Sequence, residues 1–208
     1  MRLSLVSLFL LKAIAWFIAL LFIWYPLGSV VTIPVNLLAK AVVATVFPDW
    51  AEGVELEGTT LALLTSLEAP GMTGVPEGQI AVLSPEVDFL KYGYGLPLLV
   101  AMLFASNARR LLAKVVLGAL ALLPFQVWGV CFDWLKQLGI EIGAAPFSAM
   151  ARELIALGYQ FGYLVMPAMV PVLLWVAMNR LFLATFILEA TLEGETASQT
   201  EKDRSAAS

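Results

Sequence analysis

A long apolar stretch that ends on a cluster of cations is the feature that most constrains the fold. The stretch YGYGLPLLVAMLFASNARRLLAK, residues 92–114, is uncharged through Ser106 and then meets Arg109, Arg110 and Lys114 within eight residues. About 20 apolar residues cross the ~30 Å of hydrocarbon in a bilayer, and Lys and Arg stay on the cytoplasmic side of short membrane loops. We therefore predict a membrane span that ends in the cytoplasm, which fixes the direction of the neighbouring spans.

The composition extends this prediction to the whole chain. Of 208 residues, 61% are hydrophobic and 13% are charged, whereas a soluble domain has roughly 45–50% and about 25%. The predicted fold class is an all-α membrane protein, a polytopic bundle of about four transmembrane helices with a small extracytoplasmic β-hairpin or sheet between helices 1 and 2. The predicted spans are residues 13–31, 89–107, 111–134 and 160–182, in a single membrane domain of residues 1–190. Residues 191–208 are predicted to be a disordered cytoplasmic tail.

The N-terminal apolar run has two interpretations. A cleaved signal peptide is one, because Arg2 is a short basic leader and residues 39–41 have the small-x-small form of a cleavage site. A signal peptide usually has only ~7–15 apolar residues, so the length of this run favours a retained span. Pro26 and Pro34 are expected to bend or break its helix near the outer end, followed by a short surface helix over residues 36–47.

Residues 49–88 are predicted to form the extracytoplasmic insertion, because the stretch from Asp49 to Lys91 has eight acidic residues and Lys91 as its single cation. Alternating or apolar runs at residues 54–57, 59–65 and 79–83 predict a hairpin or a three-stranded sheet. About forty residues cannot build a core alone, so helices, the membrane surface or a partner must support the sheet. If a partner does so, the expected buried set is Leu61, Leu63, Leu67, Ile80 and Val82. Residues 84–86, Ser-Pro-Glu, predict a helix start.

The second half of the chain predicts two further spans. Asp133, Trp134 and Lys136 are expected at the outer interface, with an Asp133–Lys136 pair, and residues 137–153 as an outer loop with an interfacial helix start. Pro167 and Pro171 divide the last apolar run. This topology leaves eight cations and five acids inside, against four cations and eleven acids outside. Both termini are therefore predicted to be cytoplasmic.

The sequence predicts no catalytic, cofactor-binding or metal-binding residue. There is no histidine, which is the commonest general base and zinc ligand, and the dispersed cations exclude nucleic-acid binding. A hydrolase using Cys131 or Ser148 would lack a base, so Cys131 is predicted to be structural. Gln126 is expected to hydrogen-bond another helix, with a functional relay as the alternative, and Arg180 is expected to reach lipid headgroups.

Two segments and the proline-divided last helix carry a family resemblance. The two segments are YGYGLPLLVAMLFAS and QVWGVCFDWLKQLG. With these segments the chain resembles the exosortase H-associated membrane proteins, and the resemblance covers nearly the whole chain. The resemblance implies a non-enzymatic accessory protein in a bacterial inner membrane, which partners an exosortase in processing exported proteins that carry a C-terminal sorting tail. An exosortase is expected to use Cys, Arg and His, and this chain has no histidine. No functional residue is carried over.

The expected partners are therefore membrane lipid and another integral membrane protein of the exosortase type, with no nucleic acid. The oligomeric state is left open. The alternative is a small transporter or a secretion or assembly subunit, in which Gln126 and the proline-containing helices line a path.

Overall fold

The computed structural model describes residues 5–68, 82–145, 147–180, 182–184, 187 and 191. The described elements are, in chain order, α1 (Leu5–Val46), β1 (Ala51–Glu57), β2 (Thr60–Thr65), β3 (Glu86–Asp88), α2 (Leu90–Gly93), α3 (Gly95–Ala105), α4 (Leu111–Lys136), α5 (Ala149–Gln160) and α6 (Met166–Met178). Single π-helical turns follow α4 at Gln137–Glu141 and α5 at Phe161–Val165. The fold is mostly helical, as predicted, with a small sheet between the first two helical segments.

Helix α1 is much longer than a membrane span requires. It runs unbroken for 42 residues through Pro26 and Pro34, which is about 63 Å at 1.5 Å per residue. The separate surface helix predicted over residues 36–47 is therefore wrong. Val35, Ala39 and Val43 lie one turn apart and are fully or almost fully buried, so packing along this face keeps the residues after Pro34 helical.

Among the described residues, three helical segments are long and apolar enough to cross a membrane, at Val6–Val46, Leu111–Glu141 and Ala149–Met178. The second predicted span, residues 89–107, corresponds to a shorter apolar helix, Leu90–Ala105. Its 16 residues rise about 24 Å, less than the ~30 Å of hydrocarbon. The structure thus supports three spans by length and composition, and the four-span count remains a proposal.

The sheet is antiparallel with the order β1-β2-β3. A tight turn at Gly58, where φ is +62°, joins β1 to β2, and glycine adopts this left-handed conformation without strain. The predicted third strand over residues 79–83 falls mostly outside the described residues, and Val82 makes only an isolated bridge with Glu68. The third strand is instead Glu86–Asp88, paired with β2.

The helix start predicted at residues 84–86 is also wrong, because the chain enters strand β3 at Glu86. The Ser84 hydroxyl donates to the Leu63 carbonyl at 3.3 Å, and the Leu63 N–H donates to the Pro85 carbonyl at 3.0 Å. These bonds hold the segment along β2. Helix α2 begins only at Leu90, whose N–H donates to the Asp88 carboxylate at 3.0 Å, and its N-cap residue Phe89 makes no side-chain capping bond.

The sheet rests on the helices of its own chain. Strand residues Leu61, Leu63 and Val87 are almost fully buried and belong to one core with Val35 of α1 and Trp134 of α4. Of the set predicted to need a partner, Leu61 and Leu63 are buried, Leu67 is half-buried, Val82 is 57% exposed, and Ile80 lies outside the described residues. A partner is therefore not required to support the sheet.

A second core lies at the opposite end of the bundle. Phe9 of α1 stacks on Trp175 of α6 at 5.0 Å, and both pack with Leu99, Leu103 and Leu122. The start of α1, the end of α3, the start of α4 and the end of α6 therefore meet there. We call this the basic end, because it carries Arg109, Arg110, Lys114 and Arg180; the other end, with β1–β3, is the sheet end.

The last apolar run forms a continuous helical segment from Ala149 to Met178. Its π-helical turn lies just before Pro167, where the missing proline N–H interrupts the regular hydrogen-bond ladder. The outer loop predicted over 137–153 is shorter than expected, since a π-helical turn extends α4 to Glu141 and α5 begins at Ala149. The predicted tail, residues 191–208, lies outside the described residues except for Thr191.

Candidate functional site

A buried polar network joins the sheet end to the helices. Asp133 of α4 is only 4% exposed. Its carboxylate accepts a hydrogen bond from the Tyr92 hydroxyl at 3.0 Å and one from the Gln137 amide at 3.3 Å. The same amide donates to the Glu86 carbonyl of β3 at 3.0 Å. This network links α2, α4 and the sheet through one carboxylate.

Trp134 ties the same helix to the strand at the centre of the sheet. Its indole N–H donates to the Leu61 carbonyl at 3.2 Å, and the side chain is 1% exposed. The ring therefore packs inside the protein and does not face lipid, and the position of Trp134 at the outer interface stays a prediction. A Trp ring can be buried when its N–H has an acceptor, and here the acceptor lies 73 residues earlier in the chain.

The predicted Asp133–Lys136 pair is also wrong. Lys136 pairs with Glu141 at 2.9 Å, and its ammonium lies 4.2 Å from the centre of the Tyr159 ring. Residues 136 and 141 are brought together by the π-helical turn that begins at Gln137. The pair and the ring contact hold the end of α4 against α5.

Each of these polar or nucleophilic groups has a packing or hydrogen-bonding role within the fold. The Asp133 carboxylate is engaged by two donors, and Cys131 is buried in the core that faces the sheet. The Ser148 hydroxyl accepts from the Ala151 N–H at 3.2 Å as the N-cap of α5. Among the described residues, no cluster of three or more His, Cys, Asp or Glu could hold a metal ion.

Gln126, the polar residue singled out near the middle of α4, is 6% exposed. It faces a small cavity of about 10 Å³, whose wall includes Tyr92, Gly95 and Pro167. A space of roughly 10–15 Å³ holds about one water molecule. This geometry gives little room for the transport path that was the alternative function.

An apolar groove of about 640 Å³ lies towards the sheet end. We call it the outer groove. Its wall is formed by the end of α1, by α4 and by α5, and consists of Phe47, Trp128, Phe132, Leu135, Phe147, Ala151, Leu154, Ile155, Leu157, Gly158, Phe161 and Met166. No described lining residue carries a formal charge, so the groove suits an apolar occupant.

Glycines set the depth of the outer groove, because they let α4 and the last helix approach closely. A Cβ at Gly158 would lie 2.1 Å from the Phe132 ring, and a Cβ at Gly162 would lie 2.9 Å from the Gly129 Cα. The Trp128 indole N–H donates across this contact to the Gly158 carbonyl at 3.0 Å. Small residues at helix contacts are typical of membrane proteins.

Comparison with known proteins identifies the family. The model of the exosortase H-associated membrane proteins matches residues 3–182. The chain belongs to this family. No curated protein and no solved structure shows a significant match to it.

Membership of the exosortase H-associated family confirms the resemblance seen in the sequence. The match includes all of α1–α6 and the sheet, so the outer groove and the Asp133 network both lie within the family region. The family description places the protein in a membrane and in association with an exosortase.

Sequence reasoning missed the outer groove and the Asp133 network. Phe47 and Leu157, which both line the groove, are 110 positions apart, and no local pattern connects them. One signal was present, the glycines at 158 and 162, whose spacing of four is typical of close helix contacts.

Proposed function

We propose that this protein is a non-enzymatic accessory subunit that binds an exosortase in a bacterial inner membrane and helps it process exported proteins with C-terminal sorting tails. Membership of the exosortase H-associated family supports association with the enzyme. The outer groove is the observation that carries the proposal, because it is a large apolar surface within the family region that the described chain does not fill.

The shape of the outer groove fits a transmembrane helix of the exosortase. Leu154, Leu157 and Phe161 are exposed by 56%, 51% and 47% and follow the i, i+3, i+7 spacing of one helix face. Such a row of side chains interdigitates with a second helix. The two aromatic rings of Trp128 and Phe132, stacked at 4.5 Å, form the opposite wall.

The non-enzymatic role rests on the side chains that carry reactive groups. The chain has no histidine, and Cys131 and Ser148 serve packing and helix capping. The exosortase would therefore supply the reactive groups, and this protein would position the enzyme or its substrate.

The proposed topology places the basic end in the cytoplasm and the sheet end outside. The helix Leu90–Ala105 is proposed as a short fourth span that is surrounded by longer helices, with both chain termini in the cytoplasm. The charge asymmetry of the sequence supports this orientation.

Site-specific photocrosslinking tests the proposal. A photoreactive residue replacing Leu157, inside the outer groove, is expected to crosslink to the exosortase in native membranes. The matched control replaces Leu117 of α4, which has a similar exposed fraction of 58% but does not line the groove. Crosslinking from Leu117 with none from Leu157 would contradict the assignment of the groove, and exosortase crosslinks from neither site would contradict direct association through these helices.

A further inference from the structure

The basic end contains a second cavity, which none of the roles above uses. Its volume is about 460 Å³, and it lies between the α3–α4 connection and the end of α6. Four of its lining side chains are cationic: Arg109, Arg110, Lys114 and Arg180. Among the described residues, no acidic side chain lines it. We call it the basic pocket.

The cationic groups converge from three parts of the chain. Arg109 and Arg110 come from the α3–α4 connection, Lys114 from the first turn of α4, and Arg180 from the residues after α6. Lys114 is half-buried and the three arginines are exposed. Like charges brought together in this way repel one another, and an anion between them relieves the repulsion.

A buried hydrogen-bond chain holds the pocket in shape. The Lys114 ammonium donates to the Asn179 amide oxygen at 2.6 Å, and the Asn179 amide N–H donates to the Trp175 carbonyl at 2.9 Å. The Trp175 indole donates to the Ser106 hydroxyl at 3.1 Å. The ends of α3, α4 and α6 are thus joined before any ligand binds, and pre-organisation of this kind lowers the entropic cost of binding.

The Lys114 ammonium can donate more hydrogen bonds than the one it makes to Asn179. It carries three N–H groups, and in the described contacts one of them is used by Asn179. The backbone adds to the positive potential, because α4 starts at the pocket and its N-cap residue Arg110, with φ +55°, makes no side-chain capping bond. The N–H groups of a first helical turn favour a nearby anion.

We propose that the basic pocket binds the phosphate group of an anionic phospholipid. A lipid fits better than a soluble anion, because Ala177, Met178 and Phe182 form an apolar part of the lining beside the cations. The headgroup phosphate would contact Lys114 and the arginines while the acyl chains extend along the apolar helices. Basic pockets between transmembrane helices bind lipid headgroups in this manner.

Lipid titration of the purified full-length protein in detergent tests the proposal, with bound lipid counted by native mass spectrometry. The probes are phosphatidylglycerol, phosphatidylcholine and inorganic phosphate. We expect phosphatidylglycerol to bind more tightly than phosphatidylcholine. Each cation near an anionic headgroup strengthens binding by roughly five-fold, so the double variant Arg109→Gln/Arg180→Gln is expected to bind phosphatidylglycerol roughly 25-fold more weakly.

Lys12→Gln is the matched control. Lys12 is an exposed cation on the same part of α1 as Phe9, but it does not line the pocket, so its loss should leave lipid binding within about two-fold. Both arginines of the double variant are exposed, and neither makes a hydrogen bond or an ion pair among the described contacts, so the two substitutions should preserve folding. A melting temperature within about 2 °C of the unmodified protein confirms that the double variant is folded.

Three results would overturn the proposal. The first is equal weakening by Lys12→Gln and by the double variant, which would indicate a diffuse charge effect. The second is displacement of the lipid by equimolar inorganic phosphate, which would assign the pocket to a free anion. The third is unchanged lipid binding in the double variant together with lost co-purification of the exosortase, which would assign the cations to an acidic segment of a protein partner.

Discussion

Asp133 illustrates, at the scale of single residues, how this fold accommodates a buried carboxylate. The group is 4% exposed and lies in an apolar helix, where burying it without partners would be costly. Tyr92 and Gln137 supply the hydrogen bonds that make the position tolerable. Both donors come from segments that also contact the sheet, so the carboxylate holds the sheet end together.

Replacing Asp133 by Ala is expected to lower the free energy of unfolding by about 1–3 kcal/mol, because the Tyr92 hydroxyl loses its acceptor while buried. Thermal unfolding in detergent measures the effect. Glu57→Ala is the control, since Glu57 is exposed on β1 and such surface changes stay within about 0.5 kcal/mol. Equal melting shifts for the two variants would contradict a stabilising role for the Asp133 network.

Cys131→Ser is expected to leave exosortase co-purification unchanged. The thiol is 7% exposed and packs in the core that faces the sheet. A serine hydroxyl inside a helix can donate to the carbonyl four residues earlier, so the loss of stability should be small. Recovery is measured per unit of protein in the membrane. Loss of an associated proteolytic activity at an unchanged protein level would instead revive a catalytic role for Cys131.

The contact between α4 and the last helix depends, at the scale of elements, on glycines. Gly162→Ala is expected to destabilise the protein by about 1–3 kcal/mol, because the added Cβ would lie 2.9 Å from the backbone of Gly129 and cannot be accommodated by a side-chain rotation. This should outweigh the ~1 kcal/mol gained when Ala replaces Gly in a helix. Gly53→Ala is the control, because nothing lies within 4 Å of its Cβ position. A higher melting temperature for Gly162→Ala would show that the helices are less closely packed.

The sheet behaves as part of the helical core rather than as a separate binding module. Leu63→Asp places a charge where the native side chain is 2% exposed, so it is expected to reduce the amount of protein in the membrane strongly. Glu57→Lys should have little effect on that amount. After normalisation to the protein present, both variants should recover equal amounts of exosortase. A specific loss of recovery with Leu63→Asp would instead place this strand in the interface.

The proposed orientation of the whole molecule rests on the opposite character of its two ends. Cys131 is the single cysteine of the chain, so the Cys131→Ser variant has none. A cysteine introduced into that variant then shows by its labelling on which side of the membrane its position lies. With a membrane-impermeant maleimide added outside, Glu57→Cys at the sheet end is expected to be labelled in intact spheroplasts. Ser208→Cys is expected to be labelled only after lysis. The reverse pattern would overturn the proposed topology.

The amino-acid sequence by itself determined the class of molecule. Apolar length and composition predicted a helical membrane protein, and the alternating and apolar runs within residues 49–88 predicted a small sheet. Segments such as residues 92–106 predicted the family, and the family match over residues 3–182 confirmed it. These properties can be predicted from the sequence because each depends on residues that are close together in the chain. The signals are the length of an apolar run, its periodicity and its local charge.

Only the tertiary structure decided where the elements end and what they bury. Helix α1 continues past Pro34 because its Val35 face packs in the core it shares with the sheet. Trp134 is buried because a carbonyl 73 residues away accepts its N–H. The basic pocket likewise needs Lys114 and Asn179, 65 residues apart, to meet. Contacts over such distances depend on the packing of whole helices, and no local sequence pattern records them.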